Sequence, residues 1–361
     1  MLSVQLSGVR IAGVAVAVPE MVETIDDLAR QFPNDDVAKI ADSLGVETRH
    51  VDPRLCTSDL CYAASKRLLP ALNWEPTSIG LICFVSQSAD FLAPATACIL
   101  QHRLGLSKST AAFDMELGCS GFVYGFWNVA SLMSAGRIKR ALLLCGDVAR
   151  TISPEDRAMM PLVGEAGAAV ALELDDSATP LHFTLGSDGS GWKHLIAPAG
   201  GARIPITQDT TILRLCPDGN RRGLHHSHMN GPEIFVFTLR EVPGMVHQTL
   251  QLAGWNMEQV DYVVFHQANA FMLKHLAAKL KIPGEKMVLG LRKFGNTSSA
   301  SVPLAMVSEL RERLTTSPTN LLMAGFGIGF SWGGIAMATT PMIIPDLVYA
   351  GTESIHEEKF A

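Results

Sequence analysis

The chain has 361 residues, about 2.4 times one ordinary domain, so two similar halves or two domains are expected. Apolar residues make up 48% and charged residues 18%, which excludes intrinsic disorder, and the net charge of −6 lacks the basic footprint of a nucleic-acid binder. Seven cysteines at irregular spacings, without a CxxC pair, argue against a disulfide framework and a zinc site and fit a reducing, cytoplasmic compartment.

The N-terminal apolar stretch reads as a buried strand over 8–18, ending at Pro19, rather than a secretory signal, because the one basic residue of the first twenty, Arg10, comes late. Further strands are expected over 79–86, 110–115, 140–147 and 166–174, with helices over 58–72, 95–104 and 120–135 between them. This βαβαβ rhythm predicts an α/β architecture of parallel strands covered by helices. A polar, turn-forming stretch over 173–180 punctuates the chain, and the rhythm then resumes. Strands are expected over 182–188, 260–266, 320–327 and 330–339, and helices over 232–253, 270–280 and 301–314. The same order of elements twice over predicts an N-terminal half at 1–176 and a C-terminal half at 177–342, with 343–361 as a tail. Two uncharged stretches, 117–136 and 321–345, are long enough to span a bilayer. Their glycines, Ser120, Asn128, Ser131, Ser134 and Pro341 fit buried elements of a globule better, and no membrane insertion is expected. The irregular segment 198–230 contains His225, His226 and His228. Without further ligands at suitable spacing it reads as a solvated or lid-like loop, and no metal site is expected.

Four segments carry chemistry. A strand runs into Gly118-Cys119, and an uncharged helix begins at once. A cysteine at a helix N-terminus feels the partial positive charge of free N–H groups, which favours a thiolate able to hold an acyl group as a thioester. The alternative for Cys119 is a small buried hydrophobe. The apolar run after Val260 delivers His266 and Asn269 to a strand's C-terminal end, where open α/β sheets place ligands; a structural histidine is the other reading. Asn296 stands in a polar turn and either caps it or serves a site. The glycines of 324–334 let backbone approach a ligand and offer N–H groups to an oxyanion, but they match no phosphate-loop spacing.

Taken in order, Cys119, HQAN at 266–269, GNTS at 295–298 and GFGIGFSWGG at 325–334 resemble the β-ketoacyl-acyl carrier protein synthase III family. The likeness extends over roughly 8–338, including Pro94-Ala-Thr-Ala-Cys98, Glu155-Asp-Arg157, Gly164-Glu-Ala-Gly-Ala-Ala169 and Asn230-Gly-Pro-Glu-Ile-Phe235. The resemblance implies a thiolase-like fold, two similar βαβαβ halves packed as a five-layered αβαβα sandwich. It implies that Cys119 takes an acyl group from acyl-CoA or acyl-carrier protein, and that a malonyl thioester then loses carbon dioxide and condenses with it. Backbone N–H groups of Cys119 and Ile328 would hold the oxyanion, while His266 and Asn296 would stabilise the enolate. Arg157, Gly231, Phe235, Asn269 and Phe271 are the implied substrate contacts. No cofactor or metal is required, coenzyme A being a substrate, and a homodimer is expected.

The resemblance implies a place in fatty-acid or specialised acyl or polyketide biosynthesis, and departures from the family pattern point to a specialised relative, in secondary metabolism or cell-surface biosynthesis, over the housekeeping initiator. Val37 and Ser43 stand where the family grips adenine, while Val236, Phe271, Ala278 and Lys279 occupy its basic docking face. Ile328 replaces a usual glycine, and Glu116-Leu-Gly precedes Cys119. Two other functions stay open: transfer from Cys119 to a small O- or N-acceptor without decarboxylation, and an inactive subunit of a partner synthase.

Overall fold

The computed structural model describes residues 1–355. Two mixed sheets form its frame. A six-stranded sheet runs in the order Val348–Ala350, Val9–Pro19, Ala166–Leu174, Arg140–Asp147, Leu81–Val85 and Ala111–Met115. A five-stranded sheet runs in the order Leu2–Leu6, Leu181–Ser187, Ser331–Thr339, Thr319–Gly327 and Tyr262–Phe265. The helices Gly121–Gly136 and Ser301–Glu309 each touch strands of both sheets and so form the middle layer. Thr57–Ala71 and Thr96–Arg103 cover the outer face of the first sheet, and Gly231–Ala253 and Ala270–Leu280 cover the second. The result is the five-layered αβαβα sandwich.

The continuous apolar run of Val9–Pro19 follows from burial on both faces. Val14, Val16 and Val18 point to the central layer, while Ala15 and Ala17 point outward against Thr57–Ala71. Leu81–Val85 alternates likewise, with Cys83 and Val85 inward and Ile82 and Phe84 outward. Each fully buried aliphatic of this kind stabilises the fold by about 1.5–3 kcal/mol.

Several expectations need correction. The sheets are not all parallel: Ala166–Leu174 pairs antiparallel with both Val9–Pro19 and Arg140–Asp147. Thr319–Gly327 and Ser331–Thr339 also pair antiparallel. No helix separates Arg140–Asp147 from Ala166–Leu174, or Thr319–Gly327 from Ser331–Thr339, and without a crossover the chain must reverse within each of these two pairs. An unexpected strand, Leu2–Leu6, precedes the expected one, and Gly8 at φ +81° redirects the chain between them. Leu2–Leu6 thereby leaves its half to pair with Leu181–Ser187 of the other sheet. The expected helix over 301–314 breaks at Leu310. Residues 343–355 are not a free tail. Ile344 is buried, Val14 donates to the Ile343 carbonyl at 2.9 Å, and Val348–Ala350 pairs with Val9–Pro19. Val348–Ala350 forms the edge strand of that sheet; the rest of the expected tail, 356–361, lies outside the described residues. Among the described residues no helix is long and apolar enough to cross a membrane.

Candidate active site

The strand Ala111–Met115 and the helix Gly121–Gly136 place Cys119 between the two sheets. Gly325 and Gly327 press against it: a Cβ on Gly327 would lie 2.9 Å from the Cys119 sulfur, and one on Gly325 would lie 2.8 Å from its carbonyl oxygen. Only glycine allows that approach, and it brings the next peptide to the sulfur. Backbone hydrogen bonds from Ile328 and Cys119 favour the thiolate, so the two N–H groups expected to form an oxyanion hole meet at this atom. A buried hydroxyl chain braces the turn. Ser331 Oγ donates to the Ile328 carbonyl at 2.8 Å and lies 2.7 Å from Ser120 Oγ, at the start of the helix that follows Cys119.

The sulfur itself differs from expectation. Burial, followed by the nearby charge of Asp147, pushes the Cys119 thiol up to about 11, outweighing the N–H groups and the Ser298 hydroxyl that favour the anion. The helix terminus helps the thiolate, but desolvation wins. The resting group at neutral pH is a thiol, partly accessible from a cavity of about 150 Å³.

His266 follows the strand Tyr262–Phe265 and is 1% exposed, against the edge of Phe326. Its Nδ1 lies 2.8 Å from Ser301 Oγ, which also accepts the Gln267 N–H at 3.3 Å. That network assigns the Ser301 proton to Nδ1 and leaves Nε2 as the protonated nitrogen. Burial pulls the His266 pKa down to about 4, against a backbone hydrogen bond with Ser298 that raises it. A neutral imidazole that donates through Nε2 is the species present at physiological pH.

Asn296 is fixed by close backbone contact. Its N–H donates to the Leu162 carbonyl at 2.8 Å, and the Gly164 N–H donates to its own carbonyl at 3.0 Å. A Cβ on Gly164 would fall 1.9 Å from the Phe294 carbonyl oxygen, so this pairing requires glycine. The Asn296 Oδ1 accepts the Ser298 N–H at 2.9 Å, and its amide nitrogen donates to the Ala268 carbonyl at 3.4 Å with a second proton to spare. Ser298 therefore joins the site: its side chain meets Cys119, its backbone meets His266, and its N–H meets Asn296.

Cys119, Asn296 and Ile328 line one cavity, with Asp147, Ser298, Met159, Leu162 and Met229 among its other walls. The expected substrate contacts lie elsewhere. Arg157 pairs with Asp35 at 3.2 Å and with the Asn220 side chain. Gly231 begins the helix Gly231–Ala253, and Asn269 caps Ala270–Leu280 by accepting the Met272 N–H at 2.8 Å. Phe235 and Phe271 form an aromatic pair, centroids 5.4 Å apart, with Phe271 half exposed. None of these five borders the cavity at Cys119. Asp147 and Ser298 were missed. The one available signal for Asp147 was an acidic residue at the C-terminal end of an apolar strand. Among the described residues, no group of three His, Cys, Asp or Glu side chains is placed to hold a metal.

Burying His266 neutral has a measurable cost in acid. Its pKa is 6.5 unfolded and about 4 folded. The stability tied to it is fully present above pH 6.5 and is lost as pH falls toward 4, about 3 kcal/mol in all. Denaturation at pH 7 and pH 4 should show wild type losing that much more than His266→Gln. Equal losses would contradict the assigned burial.

Comparison places this architecture among known proteins. The 3-oxoacyl-(acyl-carrier protein) synthase of Burkholderia xenovorans superposes with a TM-score of 0.91 at 38% identity, covering 97% of this chain and 99% of its own. The 3-oxoacyl-(acyl carrier protein) synthase III of Pseudomonas aeruginosa gives 0.81 at 30% identity, covering 94% and 100%. Fold and relatives together define a thiolase-fold acyltransferase. A family model for 3-oxoacyl-[acyl-carrier-protein (ACP)] synthase III matches 113–189, and the model of its C-terminal part matches 250–339. The beta-ketoacyl-[acyl-carrier-protein] synthase III of Rhodopirellula baltica is 35% identical, across 91% of this chain and 97% of its own length. The chain belongs to the β-ketoacyl-[acyl-carrier-protein] synthase III family.

Proposed function

We propose that the protein catalyses a decarboxylating Claisen condensation in fatty-acid or related acyl biosynthesis. Cys119 attacks an acyl thioester and retains the acyl group, with the N–H groups of Cys119 and Ile328 holding the tetrahedral oxyanion. A malonyl thioester then loses carbon dioxide. The resulting enolate, its oxygen facing donors from His266 and Asn296, attacks the acyl-cysteine to give a β-ketoacyl thioester. The observation that carries this reading is the pairing of the nucleophile with two neutral donors through Ser298. Transfer to an alcohol or amine needs no enolate donors.

The acyl donor arrives on coenzyme A or on acyl carrier protein, and no metal or redox cofactor enters the steps. Arg157, already engaged by Asp35 and Asn220, has little left for a nucleotide, which favours a carrier-borne donor. The protein acts as a homodimer in the cytoplasm. Ala111–Met115, the last strand of its sheet, leaves an edge open next to the Cys119 turn, and a second copy fits there.

Labelled malonyl thioester, supplied to acyl-loaded protein, tests the reaction. Carbon dioxide release matched to β-ketoacyl product is expected. Transfer of the acyl group to an alcohol or amine without carbon dioxide would replace condensation with simple acyl transfer.

A further inference from the structure

The steps above leave the carboxyl group of Asp147 unused, although it lines the same cavity as Cys119, Asn296 and Ser298. Asp147 ends the strand Arg140–Asp147. Its Oδ1 is tied down, accepting the Gln87 N–H at 2.7 Å and the hydroxyls of Ser86 and Ser88 at 3.0 and 3.2 Å. Its Oδ2 is buried without a fully formed hydrogen bond. A buried acceptor left in that state costs stability, and it has lone pairs free to take a hydrogen bond or a proton. The Ser298 hydroxyl neighbours both the carboxyl group and the Cys119 sulfur, close enough to favour the ionised form of each. Ser298 also has φ +51°, a left-handed conformation that a non-glycine residue adopts at a cost. Glycine would make this bend more readily.

We propose that Ser298 and Asp147 form the proton relay that deprotonates Cys119 during acyl loading; this rests on Cys119 being the nucleophile. As the sulfur bonds to the thioester carbonyl carbon, its S–H bond breaks. The proton passes to Ser298 Oγ, whose own proton passes to Asp147 Oδ2. When the tetrahedral adduct collapses, the bond between carbon and the leaving sulfur breaks. The departing thiolate then takes a proton back along the same path. Asp147 ends ionised, Cys119 acylated and the donor a free thiol, so no proton or electron is left over.

Two further features of the site are consistent with such a relay. A thiol pushed up to about 11 supplies little thiolate at neutral pH. A histidine held neutral down to about pH 4 is a poor proton acceptor. Asp147 raises the thiol while ionised and stops opposing the anion once it carries the proton. Its titratable neighbours are Cys119 on the cavity side and Cys61 and Cys145, whose buried thiols are raised and stay neutral.

The experiment is single-turnover loading of acetyl and octanoyl groups, on coenzyme A and on acyl carrier protein, followed by intact mass and peptide mapping between pH 6 and 10. Asp147→Asn and Ser298→Gly should load about 10²-fold more slowly at pH 7, the scale of a lost general base. Their rates should rise about tenfold per pH unit as hydroxide replaces the relay, whereas wild type stays nearly flat. Ser298→Gly suits the left-handed backbone and should melt no lower than wild type, which separates the relay from damage to the fold. Wild-type rates and pH profiles in both variants would overturn the relay alone. So would faster loading of Asp147→Asn at pH 7, the effect of merely removing a negative charge. No loading of wild type, or an acyl group mapped away from Cys119, would overturn the relay together with the nucleophile assignment.

Discussion

Cys119→Ala protein should take up no acyl group from thioesters that load the wild type, and its synthesis of β-ketoacyl product should fall by roughly 10⁴-fold or more. The substitution removes the sulfur and little else. The backbone N–H groups at positions 119 and 328 stay in place, Gly325 and Gly327 still pack against the shortened side chain, and the Ser120–Ser331 hydroxyl bridge is untouched. Decarboxylation makes a different demand on the site, because it needs hydrogen bonds to the malonyl thioester oxygen and no sulfur. The variant should therefore still release carbon dioxide from a malonyl thioester offered alone, without forming product. Intact mass and carbon dioxide release, read on one preparation, separate the two stages. Full acylation of Cys119→Ala would move the nucleophile to another residue.

What the sequence disclosed, and what it hid, follows from the range of the interactions involved. The apolar runs that became Val9–Pro19, Arg140–Asp147 and Ala166–Leu174 were legible because burial on two faces leaves an unbroken signature. Cys119, His266 and Asn296 stood out as candidates through their local settings of turn, strand end and glycine neighbour, and the structure sets Cys119 and Asn296 on one cavity. Strand direction was not, since it depends on whether a crossover intervenes and not on side-chain pattern. Nor was the pairing of Leu2–Leu6 and Val348–Ala350, which are short, partly exposed edges completed by distant partners. Electrostatics at Cys119 depended on geometry as well. Composition places the cysteine at a helix start, but only the packed sheets show that desolvation and Asp147 outweigh that end. Ser298 looked like one more polar turn residue; its left-handed φ and its contacts with both halves are properties of the folded chain.

His266→Ala and Asn296→Ala should reverse the pattern of the cysteine variant, keeping acyl loading while losing condensation. In the proposed reaction each side chain would supply one hydrogen bond that strengthens as negative charge moves onto the thioester oxygen. Losing such a donor costs about 3 kcal/mol in the transition state, roughly a hundredfold in rate. The double variant should fall short of the product of the two losses, because both donors serve one oxygen. The variants also differ in a way their surroundings dictate. Asn296 Oδ1 holds the Ser298 N–H at 2.9 Å, so Asn296→Ala loosens the residue beside the sulfur and should slow loading modestly. His266 touches Ser298 only through its backbone, and His266→Ala should load at close to the wild-type rate. The pH dependence provides a second check. Because the His266 pKa is about 4, the imidazole is neutral throughout pH 6 to 8, and condensation by acyl-loaded enzyme should show no histidine titration in that window. A rate that drops as pH falls through 6.5 would mean that the ring titrates as if exposed to water, and the assigned donor role would then have to be abandoned.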